Sequence, residues 1–179
     1  MDQSIKLWDL STESRKFSFR GHVDSVNCVK WVPFSNVLGS ASADKTLSLW
    51  DIRTNLCTQT FYGHTNAVNS LIFNLTGDLM ASGDADGIVR LWDLRTGKQL
   101  NNFDCGEYSV NCLCIDNAGT FLTVGSDDTN IRVINLNELK LEDHKLQGHD
   151  DSVLSLAISP DNKFLISGGS DATFRIWNS

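Results

Sequence analysis

Three sets of side chains in this chain carry the residue types of a nucleophilic hydrolase: His22, Ser40 and Asp44; His64, Ser82 and Asp86; and His149, Ser167 and Asp171. A serine activated by a histidine that a carboxylate orients would perform acyl transfer. The spacing argues for a different role. In every copy 18 residues separate His from Ser and four separate Ser from Asp. None of the copies sits in the strand–turn–helix glycine context that presents a nucleophile. Each set is followed by a tryptophan six residues after its Asp: Trp50, Trp92 and Trp177. A buried indole N–H and a buried carboxylate both need partners, and a complete polar network fixes strand register. We therefore read the three foursomes as structural networks, and nothing else in the chain suggests an enzyme.

The networks belong to a longer repeat. Trp8-Asp9, Trp50-Asp51, Trp92-Asp93, Ile134-Asn135 and Trp177-Asn178 follow one another at 42, 42, 42 and 43 residues. Gly21-His22, Gly63-His64 and Gly148-His149 open three of the units, with His 28 residues before the Trp. Asp2, Asp44, Asp86, Asp128 and Asp171 each stand six residues before the Trp or Ile. A period of 40–45 residues with Gly-His near its start and Trp-Asp at its end resembles the WD-repeat family, whose unit is one four-stranded blade of a β-propeller. The resemblance covers the whole chain. It implies that the indole donates to the Ser hydroxyl, the hydroxyl bonds the His and the His bonds the Asp.

The elements that must position these residues are short strands. The innermost strand of each unit repeats one pattern: Val26, Cys28, Val29, Trp31; Val68, Ser70, Leu71, Phe73; Val110, Cys112, Leu113, Ile115; Val153, Ser155, Leu156, Ile158. Its second position is always small, which suits a crowded site near a propeller axis. Pro33–Asn36, Thr76–Asp78, Asn117–Gly119 and Ser159–Asn162 then supply turn chemistry, as does Arg95–Lys98. No helical periodicity of useful length occurs, and the fold expected is all-β.

The units expected are 11–52, 53–94, 95–136 and 137–179, preceded by 1–10 as the end of a truncated repeat. Trp8 then lacks the Ser and His partners of its own blade. Four repeats and a strand make a partial propeller with open sheet edges. This pattern predicts the C-terminal part of a longer, usually seven-bladed protein, or a truncated gene product. Closure as a small ring and completion by another copy are the other two routes.

The unit 95–136 is degenerate. Gly106 stands for His, Val124 for Ser and Ile134 for Trp, while Asp128 remains. Loss of all three partners together leaves no orphaned donor, and Asp128 can bond turn backbone groups. Tyr108 also replaces the short polar residues Asp24, Asn66 and Asp151 of the other units. These four positions lie at the rim where propellers bind, and are the candidate partner contacts, with Tyr108 first. The change is either drift or specialisation of one blade for a partner.

Composition narrows the function classes. The net charge is −7, and no apolar run approaches membrane-spanning length. Basic residues are scattered, while the rim carries Asp24, Glu107, Asp127, Asp150 and Asp151. Neither nucleic acid nor an acidic membrane is an expected partner. Five cysteines without paired spacing, and no signal peptide, suggest a reducing cytosolic setting. Asp84-Ala85-Asp86-Gly87 opens like a calcium loop, but the later ligands and closing Glu are missing. Cys112 and Cys114 read as packing residues and His144 as outer-strand decoration, so neither a metal nor a cofactor is expected.

Some stretches exceed the general repeat: Trp31–Asn36, Ser40–Asp51, Tyr62-Gly63-His64, and Ser167–Asp171 followed by Trp177-Asn178-Ser179. These, with the place of the degenerate unit, resemble the central-pair WD-repeat proteins of motile cilia, the sperm-associated antigens of animals. That resemblance implies a noncatalytic scaffold in the axonemal central apparatus, with other central-pair proteins as partners. A rival resemblance rests on Arg53 and Arg95, each three residues after a Trp. It is similar to the motif by which some WD proteins dock as substrate receptors on cullin-type ubiquitin ligases. A generic cytosolic scaffold is the third reading.

Overall fold

The computed structural model describes residues 2–178. It is built from five antiparallel sheets, of which the last four are held each to the next by their inner strands. The first sheet is a pair, β1 (Ser4–Asp9) with β2 (Ser14–Arg20). Three four-stranded sheets follow. The first runs β3 (Val26–Trp31), β4 (Val37–Ser42), β5 (Leu47–Asp51), β6 (Leu56–Phe61). The second runs β7 (Val68–Phe73), β8 (Leu79–Asp84), β9 (Ile88–Asp93), β10 (Lys98–Asp104). The third runs β11 (Val110–Ile115), β12 (Phe121–Ser126), β13 (Ile131–Asn135), β14 (Lys140–Leu146). The last has three strands, β15 (Val153–Ile158), β16 (Phe164–Gly169) and β17 (Phe174–Asn178). β3 packs on β7, β7 on β11 and β11 on β15, while no comparable packing joins β15 to β3. The result is an open arc of β-propeller blades.

Sequence repeat and blade are offset by one strand. The residues that open each repeat, such as 56–61, form the outer strand of the preceding sheet, and the remainder builds the inner three strands of the next. This offset locks neighbouring blades through the covalent chain.

The turns follow from local chemistry. Gly77, Gly119 and Asn162 take positive φ at the same point of the first hairpin of their blades, while in the first full blade Phe34, one position earlier, takes it. Each hairpin closes on a backbone bond, such as Val32 N to Val37 O at 2.9 Å and Ser159 N to Phe164 O at 2.8 Å. Positive φ recurs in the second hairpin at Lys45, Gly87, Thr129 and Ala172. Only Gly87 is also tightly walled: a Cβ there would lie 1.8 Å from the Gly106 carbonyl oxygen.

The small residue of each inner strand marks a β-bulge. The ladder slips between Val26 and Cys28, Val68 and Ser70, Val110 and Cys112, and Val153 and Ser155. Crowding there is real, since a Cβ on Gly125 of β12 would come within 2.5 Å of Cys112 Sγ. A residue between these two seals the blades. Asn27, Asn69 and Asn111 donate Nδ2 to the carbonyls of Val68, Val110 and Val153 of the next blade at 3.0, 3.1 and 3.1 Å. In the last blade Leu154 holds that position.

Candidate functional site

The first and last of the three networks close with the residues expected. Trp50 Nε1 donates to Ser40 Oγ at 2.8 Å, Ser40 Oγ lies 2.7 Å from His22 Nε2, and His22 Nδ1 lies 2.8 Å from Asp44 Oδ2. Trp177, Ser167, His149 and Asp171 repeat this at 2.8, 2.7 and 2.9 Å. The carboxylate accepts from Nδ1–H, which leaves Nε2 to accept the Ser O–H. Each hydroxyl is then spent on both sides, donating to His and accepting from Trp. Ser40, Ser82 and Ser167 are fully buried. Each network thus ties the entry loop of a blade to that blade's second and third strands, with its hydroxyl closed off from solvent.

The second network differs from the sequence reading in its acid. His64 Nδ1 pairs with Asp84 Oδ2 at 2.6 Å, not with Asp86, while Ser82 and Trp92 take the places expected. Asp84 closes β8 at the point where Ser42, Ser126 and Gly169 close the equivalent strands, so its carboxylate enters beneath the histidine from two residues earlier. It also accepts from the turn amides of Asp86 and Ile88. Asp86 is left at the surface, where Asn66 Nδ2 and Thr65 Oγ1 both donate to it at 2.8 Å and hold its carboxyl below the usual range. The signal was present in the sequence as a second acidic residue two places before the repeating one.

In the degenerate blade Asp128 keeps a partner that the repeat pattern did not point to. Arg132 of β13 turns inward, only 4% exposed, and donates Nη1 to Asp128 Oδ1 at 2.9 Å and Nη2 to Oδ2. Burial pushes the Asp128 carboxyl up, but hydrogen bonds from Arg132 and Asn130 outweigh it and bring the group down to about 2. The Asn130 backbone N–H also bonds Oδ1 at 3.3 Å, the turn contact anticipated for it. The space of the missing indole is closed by Val124 and Ile134, both fully buried. Burial pushes the neighbouring Cys105 thiol up to about 12, as it does Cys112. Cys114 is raised for the same reason. A thiol raised in this way holds little thiolate near neutral pH, which suits a packing role.

The four rim candidates occupy one edge of the arc, each in the loop that leads into an inner strand, and all are exposed. They do not form one cluster. Asp24, Asn66 and Asp151 each accept from the next backbone N–H at 2.7–2.8 Å, whereas Tyr108 makes no such bond and stands 57% exposed. Sequence reading missed two neighbours on this edge, the exposed Tyr62 and Val23. Arg53 and Arg95 lie in turns at the opposite edge, both exposed, with Arg53 drawn onto Asp51 through Nε and Nη2 at 3.4 and 3.3 Å. His144 lies exposed on outer strand β14.

A cleft of about 400 Å³ separates the last two blades, lined by Phe121, Val133, Leu146, Phe164, Lys163 and Trp177 among others. Leu146 explains it. In earlier blades a phenylalanine of the outer strand covers the next indole, Phe19 on Trp50 at 5.7 Å and Phe61 on Trp92 at 5.4 Å between ring centroids. Leucine is too short to do so. Among the described residues no group of three His, Cys, Asp or Glu is placed to hold a metal ion.

The chain matches none of the curated proteins. The family model for the WD domain, G-beta repeat, matches residues 13–51, 55–93, 97–135 and 142–178. Together with the blade arc and the Trp–Ser–His–Asp networks, this places the chain in the WD-repeat family.

Proposed function

We propose that this protein is a noncatalytic scaffold of the axonemal central apparatus, supporting assembly and motility of the cilium. WD domains act in general through protein–protein contacts, and the architecture here suits that role: rigid blades present one exposed loop each along a common edge. The observation that carries the reading is Tyr108, which replaces a turn-capping polar residue and stands exposed on the edge that also carries the exposed Tyr62 and Val23. The ciliary assignment draws on the segments Trp31–Asn36 and Ser40–Asp51, whose resemblance goes beyond the repeat. The first of these contains the exposed Phe34 on the edge away from Tyr108, so both edges would be available to central-pair partners.

An immunoblot of motile cilia and of cell bodies, with an antibody to residues 95–136, tests the assignment. Retention in detergent-extracted axonemes is the expected result. A signal confined to cell bodies would point to a cytosolic scaffold or to a receptor of a cullin-type ligase. The second of these is favoured only by the exposure of Arg53 and Arg95 on one edge. Capture of the ligase adaptor, lost in Arg53→Ala with Arg95→Ala, is its test.

A further inference from the structure

Two blades lay an arginine beside their tryptophan. Arg90 and Arg175 stand two residues before Trp92 and Trp177. A Cβ on Gly63 would lie 3.6 Å from Arg90 Nη1 and 3.3 Å from the Trp92 ring; one on Gly148 would lie 3.3 Å from Arg175 Nη1 and 2.9 Å from the Trp177 ring. Each guanidinium therefore sits by both the indole and the glycine of Gly-His. Arg90 is held there by Gln99, whose Oε1 accepts from Nη1 at 2.6 Å. The degenerate blade keeps Arg132 within 3.4 Å of a Cβ at Gly106, although there the guanidinium is drawn in to Asp128.

The blade β3–β6 has no such arginine. Ser48 holds the position, and Cys57 pairs with Trp50 where Gln99 pairs with Trp92. The three atoms nearest a Cβ on Gly21 all belong to Trp50. Two long side chains have been shortened together, and a cavity of about 370 Å³ stands in their place. Its lining falls wholly between residues 21 and 62, in this complete blade and the loop that enters it. Trp50 and Ser48, both buried, lie at its base, and the exposed Val23 and Tyr62 stand at its mouth.

The lining suits a guanidinium, a planar cation that presents N–H donors and stacks on aromatic rings. Ser48 Oγ and Thr60 Oγ1 face each other at 3.4 Å, too far apart for a strong bond between them, so both can accept from a ligand. The Asp44 carboxylate is engaged by His22, Val23 and Thr46, and it supplies negative charge rather than a free oxygen. None of the described residues lining the cavity is cationic, and the chain carries a net charge of −7. Tyr62 offers a ring at the entrance.

We propose that this cavity receives an arginine side chain of a partner protein, which takes the place that Arg90 and Arg175 hold in their own blades. The site does not depend on the ciliary assignment.

The test is a titration of the nitrogen-labelled full chain with the capped tripeptide acetyl-Gly-Arg-Gly-amide, followed by NMR. Saturable shifts are expected at the Trp50 indole N–H and at the amides of Ser48 and Thr60, with a roughly millimolar Kd as suits one side chain. The lysine tripeptide binds about fivefold more weakly or less, because its ammonium is compact and strongly hydrated. Free L-arginine binds no better than the tripeptide, since no cation in the lining meets an amino-acid carboxylate. Ser48→Arg with Cys57→Gln rebuilds the pair found in β9 and β10; it abolishes the shifts while circular dichroism is unchanged. Tyr62→Ala, at an exposed side chain, weakens binding about threefold, and it decides the matter alone should the filled variant not fold. Absent shifts, shifts scattered over the acidic surface, or shifts that persist in the filled variant overturn the proposal. Unchanged affinity in Tyr62→Ala, or equal binding of the lysine tripeptide, does the same. Tighter binding of free L-arginine overturns a protein as the source.

Discussion

Arg132 holds Asp128 where the other blades hold an aspartate with histidine. A Cβ at Gly106, the histidine position, would lie 3.4 Å from Arg132 Nη2, so the guanidinium fills the vacated side of the carboxylate. The equivalent Arg90 instead reaches outward to Gln99 Oε1 at 2.6 Å, because His64 already occupies that space. The degenerate blade has thus exchanged a four-residue hydrogen-bond network for one ion pair and an apolar plug.

Breaking this pair should be costly and non-additive. Arg132→Ala strands a partly buried carboxylate and is expected to destabilise by about 3 kcal/mol. Asp128→Ala in the same background should recover part of that loss, as coupled neighbours do. Urea denaturation of the two single variants and the double measures the coupling, and strict additivity would contradict the assignment.

Acid should unfold the chain partly through this same residue. Folding depresses the Asp128 carboxyl to about 2, below its ordinary value of about 3.9 in the unfolded chain. Its contribution is therefore fully present above the unfolded value, and is lost as pH falls from about 4 through about 2. Asp44 and Asp171 act in the same direction. In each, burial raises the carboxyl but bonds from Thr46 and His22, or from Thr173 and His149, prevail. Denaturation midpoints between pH 5 and 2 should fall, and should fall less steeply in Arg132→Ala.

The two acids of the second blade should separate cleanly. Asp84→Ala leaves the buried His64 Nδ1–H and two turn amides without an acceptor, an expected loss of about 3 kcal/mol. Asp86→Ala removes only surface bonds to Thr65 and Asn66, and about 1 kcal/mol is expected. Thermal melts of the two variants compare them directly. The reverse ranking would restore Asp86 to the network.

Tryptophans at the same repeat position should differ by their surroundings. Trp92→Ala empties a site between Phe61 and His64 and should cost about 3–5 kcal/mol. Trp8→Ala, at a half-exposed indole, should cost under about 1 kcal/mol. Denaturant midpoints at unchanged slope would check both.

Tyr108→Ala should leave stability and circular dichroism unchanged. Binding to a protein partner of this edge should weaken by about 2 kcal/mol, as for an aromatic interface anchor. Titration calorimetry with that partner reads the effect, and unchanged affinity would remove Tyr108 from the contact surface.

The sequence alone determined the blade and its hinges. Period, turn residues and the His–Ser–Trp marks are local, because hairpin geometry depends on a few neighbouring φ angles and a strand's faces alternate with every residue. The family followed from these marks. Tertiary structure decided what each polar residue bonds. Asp84 and Asp86 are two residues apart on one turn, and only the position of the imidazole, arriving from 20 residues away, selects between them. Arg132 and Arg90 share a repeat position, yet one points inward and the other outward according to whether a histidine fills the space. The offset of repeat from blade is likewise a tertiary fact: outer strand β6 opens a sequence unit but pairs with β5 of the unit before, because that edge is the nearest ladder left unpaired. Exposure divided the remaining look-alikes, since Trp8 and Trp92 carry the same Trp-Asp mark and differ only in what packs beside them.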